Sequence, residues 1–176
     1  MTTTTIEDGY LYVTDVPSAN ISDTSNTFTD TGYTVVKIAI TSNIKYDYSN
    51  DKLQNIPYPD STDSYYVDVK MYKEAITCQG ELWSKTPSGS NDVDTALEKF
   101  NNLRTLATTK DTVVFVYGTY NATKSNRRKY SGTISKMMLT EPYGDSKVRH
   151  HTWSSGVVVP HRLPIQIQLL LGSSAI

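Results

Sequence analysis

His150, His151 and His161 are the residues whose type best suits metal or proton chemistry, and their spacing argues against both. Adjacent histidines in a strand point to opposite faces, so His150 and His151 make a poor joint ligand pair. His161 stands in irregular chain bounded by Pro160 and Pro164, and no H-E-x-x-H or His-x-His spacing is present. All three read as surface or loop histidines. Cys78, the only cysteine, falls on an apolar strand face and reads as a small buried hydrophobe. The closest carboxylate pairs are Asp92 with Asp94, at the start of a helix, and Asp60 with Asp63, in an exposed loop. Neither has the pocket that would split two carboxyl pKa values for acid–base work. Nine scattered glycines form no G-x-G-x-x-G, no P-loop and no G-x-S-x-G elbow. Catalytic, metal and cofactor sites are therefore not expected. The remaining charged feature is Lys124, Arg127, Arg128 and Lys129, four cations in six residues at a polar hairpin tip. They read as phosphate contacts, as partners for acidic groups on a neighbouring subunit, or as a solvated loop.

The composition sets broad bounds. A chain of 176 residues with a formal charge of −1 fits a single domain and carries no global field to gather nucleic acid or an anionic membrane. One cysteine excludes an intrachain disulfide and a cysteine-based zinc site. No apolar run approaches the eighteen or so residues of a membrane span, so membrane insertion is not expected. Thr2 to Thr5 lacks the basic and apolar parts of a signal peptide. Synthesis in a cytosol is the expectation. Thirteen tyrosines in a chain only 38% hydrophobic suit half-buried strands and wet protein interfaces.

These features require a β scaffold with one helix. Residues 1–30 form an N-terminal extension: Met1 to Glu7 reads as a flexible tail, Tyr10 to Val13 as a short strand, and Pro17 to Asp30 as a long loop. Tyr33 to Ile40 alternates as a strand. Residues 41–64 are long and rich in Tyr and predict an extended arm or hairpin, with a mobile surface loop as the alternative. Its candidate contact residues are Tyr46, Tyr48, Leu53, Ile56 and Tyr58, ordered by another subunit. Tyr65 to Trp83 predicts one long bent strand or two, with Gly80 at a bulge or close backbone approach.

Val93, Ala96, Leu97, Phe100, Leu103 and Leu106 recur at helical spacing and predict a helix over 91–107, capped by Asn91 or Asp92. Its opposite face offers Glu98, Lys99 and Arg104 as a candidate contact surface. Thr112 to Tyr120 is apolar on both faces and reads as a central strand. Tyr130 to Thr140 is its return strand, and Leu163 to Leu171 alternates to the end. The expected fold class is mainly β with one α-helix, an antiparallel β-sandwich or barrel flanked by that single helix.

In order, the runs "AITCQGEL", "DVDTALEKFNNLRTLA", "TVVFVYG", "KYSGTISKMML" and "LPIQIQLLLG" resemble the fold shared by tail tube proteins and their relatives in tailed viruses and contractile injection systems. The resemblance covers about Tyr65 to Ile176 and rests on element order. It implies a structural virion protein that self-associates in rings, six copies to a ring, which stack into a tail tube. It also implies other tail proteins as partners (a tape measure, and a baseplate or sheath), and viral DNA passing without specific binding. Assembly in the host cytoplasm and residence in the virion follow from it. The arm at 41–64 falls where such proteins carry a loop that reaches the adjacent ring. A distal-tail or baseplate adaptor ring has the same fold. A nucleic-acid-binding β module using Lys124 to Lys129 is the reading from another class.

Overall fold

The computed structural model describes residues 1–57, 64–84, 95–140, 150–152, 158–160 and 162–171. For the strand segments 49–57, 64–73, 150–152 and 158–160 only the backbone is described. In chain order the elements are β1 (Thr3–Thr5), β2 (Tyr10–Thr14), a 3-10 turn (Ser18–Asn20), β3 (Thr27–Thr29), β4 (Val35–Ile40), β5 (Lys45–Pro57) and β6 (Ser64–Trp83). After them come α1 (Ala96–Thr109), β7 (Val113–Tyr117), β8 (Arg128–Leu139), β9 (His150–Thr152), β10 (Val158–Pro160) and β11 (Arg162–Leu171).

Six strands close an antiparallel barrel in the order β11-β8-β7-β2-β4-β6, with β11 pairing back to β6 from Arg162–Trp83 to Leu170–Ala75. The mainly β barrel with one flanking helix is the fold class the sequence predicts. Strand alternation fills the barrel. Leu11 and Val13, Val36 and Ile38, Ile76, Cys78 and Leu82, Val113 and Phe115, Ile134, and Leu163, Ile165, Ile167 and Leu169 form one buried cluster. Gly80 permits closure, because a Cβ there would lie 2.5 Å from both the Ala39 carbonyl oxygen and the Ile38 Cγ2.

The helix connects the end of β6 to the start of β7 and contributes Ala96, Leu103 and Leu106 to that same cluster. It therefore lies against the barrel end where those strands terminate. Leu97, placed on the apolar face by its spacing, is 45% exposed. The cap is Thr95 rather than Asn91 or Asp92. Its side chain accepts from the Glu98 amide at 3.1 Å while the Glu98 carboxylate accepts from the Thr95 amide at 2.9 Å, a reciprocal capping box. Asn91, Asp92, Val93 and Asp94 lie outside the described residues.

The N-terminal extension is structured where a tail and a loop were expected. β1 pairs with β3 in antiparallel register, Thr4 opposite Phe28. Beneath this small sheet Ile6, Val16, Ile21 and Phe28 pack on the outward residues Tyr12, Val114 and Val116. β7 is thus apolar on both faces because one face fills the barrel and the other receives this layer. Spaced apolar residues (Ile6, Val16, Ile21, Phe28) in a polar stretch give no period to read, which is why the layer escapes pattern analysis.

β5 lies in the arm expected at 41–64, but it pairs outside that stretch, with β6, in register from Lys45–Thr77 to Pro57–Ser64 with a shift between Asp51 and Leu53. Residues 64–74 of β6 pair with β5 alone among the described residues. At roughly 3.3 Å per residue those eleven positions amount to about 36 Å of strand beyond the last residue paired to β11.

Candidate assembly surfaces

The arm residues separate into two groups. Tyr46 and Tyr48, two apart on β5, share one strand face and are 50% and 54% exposed. Leu53 and Ile56 lie on the β5 backbone, opposite Asp68 and Tyr65 in register, and Tyr58 is outside the described residues. The root of the hairpin is tied to the barrel by aromatic contacts. The Tyr130 ring sits 6.3 Å from Tyr46 and 6.2 Å, stacked, from Tyr117. A hydrogen bond to the Glu74 carboxylate raises the Tyr46 phenol pKa, because it favours the protonated form. Burial pushes the Tyr117 phenol up to about 12.

The basic cluster does not form one surface. Arg127 is buried, 6% exposed, and its guanidinium donates from Nε to the Gly118 carbonyl at 2.8 Å. Its Nη2 donates to the Ser25 carbonyl and the Asn26 Oδ1, both at 2.9 Å. Desolvation lowers its pKa. Lys129 Nζ donates to the carbonyls of Ser18 at 3.0 Å and Ile21 at 2.8 Å and pairs with Asp23 at 3.2 Å. These two cations fasten the N-terminal layer to the β7–β8 connection. Lys124 and Arg128 remain exposed. Their spacing looked like a phosphate-binding tip; the signal missed was the run of main-chain carbonyls supplied by a distant loop.

On the helix, Glu98 is spent on the capping box and Lys99 Nζ donates to the Trp83 carbonyl at 2.8 Å. Arg104 is exposed. Cys78 is fully buried, and burial pushes its thiol up to about 12, which suits its packing role. His150 and His151 are described as backbone of β9, and His161 lies outside the described residues, as do Asp60, Asp63, Asp92 and Asp94. Among the described residues no group of three or more His, Cys, Asp or Glu could hold a metal ion, and no helix is long and apolar enough to cross a membrane.

Sequence reasoning missed how short the pairing between β4 and β6 is among the described residues. These strands pair at Ala39–Glu81 and Ile40–Gly80, and Thr41 donates to the Gln79 carbonyl at 3.1 Å. Continuing this register would set Lys37 against Trp83, but the pairing stops there, and the Trp83 carbonyl accepts from the Lys99 side chain. Two cavities of about 340 and 540 Å³ adjoin this pairing, both lined by Lys37 and Lys99. Its charges are compensated at short range: Lys37 Nζ lies 2.7 Å from Glu7 Oε1, and Arg162 Nη1 lies 3.5 Å from Glu81 Oε2. Arg162 also sits over the Trp83 ring at 5.5 Å. Such a site offers aromatic faces, with little net field for a free ion.

No protein-family model matches the chain, and none of the curated proteins matches it.

Proposed function

We propose that the chain is a non-enzymatic structural subunit that self-associates into rings which stack into a tube, the tail tube of a tailed virus. The observation that carries this reading is the β5–β6 hairpin, a two-stranded ribbon whose outer edges from residue 64 to 74 and along the facing part of β5 have no strand partner among the described residues. An isolated two-stranded ribbon is marginal in water and its free edges are templates for pairing, so a ribbon of this length finds its stability in an assembly. The barrel with a single helix supports the same reading, and so does the exposed tyrosine pair at the hairpin root. The net charge of −1 keeps copies from repelling one another. In this reading six copies close each ring, DNA passes through the lumen without sequence-specific contact, and the tube's ends meet other tail proteins.

Replacing residues 49–73 with a two-residue Asn-Gly turn tests the reading, since such a turn closes a hairpin between Tyr48 and Glu74. The expected result is a folded monomer with unchanged barrel stability that no longer associates. A shortened chain that forms the same particles as the full chain contradicts the proposal. Single rings from the full chain, without stacks, place it as a distal-tail or baseplate adaptor instead.

A further inference from the structure

We infer that the cavity between β1, the turn at 30–33 and the outward residues Val35 and Lys37 of β4 is a binding site for a neutral saccharide. This goes beyond the self-assembly reading and does not involve the β5–β6 hairpin. The cavity, about 540 Å³, falls within the roughly 300–1,000 Å³ of small-molecule sites. Tyr33 supplies an aromatic wall, lining the cavity while 42% exposed. Its backbone is fixed on both sides. The Tyr33 amide donates to the Asp30 carbonyl at 3.0 Å, across a turn in which Gly32 takes a φ of 82°. The Thr34 amide donates to Asp15 Oδ1 at 2.7 Å. A tyrosine on a fixed backbone has only two χ angles left to lose when a ligand packs on it.

Beside that ring the polar groups are balanced in charge. Asp30 accepts from the Thr4 hydroxyl at 2.5 Å, which holds its carboxyl below its ordinary pKa and keeps it an acceptor. Glu7 and Lys37 pair at 2.7 Å with side chains 54% and 35% exposed, so both keep surface towards solvent. With Lys99, two carboxylates face two ammonium groups in the lining and leave no net charge. An anion meets Asp30 and Glu7, and a cation meets Lys37 and Lys99, so neither is favoured. A sugar answers both features. Its C–H face packs on an aromatic ring, and the hydroxyls round its edge donate to carboxylates and accept from ammonium and threonine groups.

Saturation-transfer NMR of the full chain with methyl glucoside, methyl galactoside and N-acetylglucosamine tests this. At least one sugar should take up saturation, and Tyr33→Ala should weaken its binding by about tenfold or more. Tyr33→Phe, which keeps the ring, should retain it. Tyr33 is exposed and lies outside the buried clusters, so both variants should fold. Glucuronate and choline, an anion and a cation, should bind more weakly than the preferred sugar. Absence of transfer to all three sugars overturns the inference, and so does transfer that Tyr33→Ala leaves unchanged. Tighter binding of glucuronate or choline overturns it as well. None of these results depends on whether copies associate, so the self-assembly reading stands or falls separately.

Discussion

The Arg127 guanidinium donates to the Asn26 side-chain carbonyl at 2.9 Å across 101 residues of chain, joining the N-terminal layer to the barrel. Asn26 reciprocates at the same junction: its Oδ1 accepts from the Tyr120 amide at 2.7 Å and its Nδ2 donates to the Tyr120 carbonyl at 3.0 Å. A basic residue that looked like part of a surface patch is instead an internal clamp, and its loss should register as stability.

Arg127→Ala removes a buried guanidinium that donates to Gly118, Ser25 and Asn26 at once, and takes a donor from the part-buried carbonyls of Gly118 and Ser25. The expected cost is about 3 kcal/mol, in the range for buried charged hydrogen bonds. Denaturant unfolding measures it. Lys124→Ala, at an exposed position of the same cluster, should change stability by no more than about 0.5 kcal/mol.

Gly80→Ala should oppose barrel closure. The added Cβ meets the Ala39 carbonyl oxygen and the Ile38 Cγ2 at 2.5 Å, so β4 must move away from β6. Overpacking of this kind costs about 1–3 kcal/mol, and thermal unfolding of the variant against the parent checks it.

Thr95→Ala breaks the capping box of α1. Thr95 is 7% exposed and accepts from the Glu98 amide, so its removal should cost about 1 kcal/mol. Glu98→Ala on top of it should add little, since both changes remove the same reciprocal pair. Paired denaturation curves measure the coupling.

Alkaline pH should destabilise the fold through Tyr117. Its folded pKa is raised from 10.0 to about 12, mainly by burial and then by the neighbouring Tyr130. The unfolded chain loses the proton first, near pH 10. The stabilising contribution is therefore complete below pH 10 and is lost as pH rises from 10 to about 12. Tyr117→Phe should flatten stability against pH in that window, measured by urea midpoints between pH 9 and 12.

Much of the scaffold is legible from alternation alone. Leu163, Ile165, Ile167 and Leu169 face one way, Val36 and Ile38 do the same on β4, and both sets fill the barrel. The double-sided apolarity of Val113 to Val116 correctly signals layers on both faces. What pattern could not reach depends on long-range partners. Thr3–Thr5 becomes a strand only because Thr27–Thr29 lies beside it, and no local propensity announces that pairing. Arg127 and Lys129 are engaged by carbonyls of a loop about a hundred residues away, so charge clustering misreads them. Leu97 fits the helical period, yet it points away because the barrel end covers a narrower stripe than the helix offers. The short β4–β6 pairing follows from where a register stops, which only coordinates reveal.

Negative-stain electron microscopy of the purified full chain tests the central claim most directly. The account predicts rings that are six-fold in projection and stacked into tubes of indefinite length, built on the hairpin that continues beyond the barrel pairing. A field of isolated monomers at every concentration would contradict it.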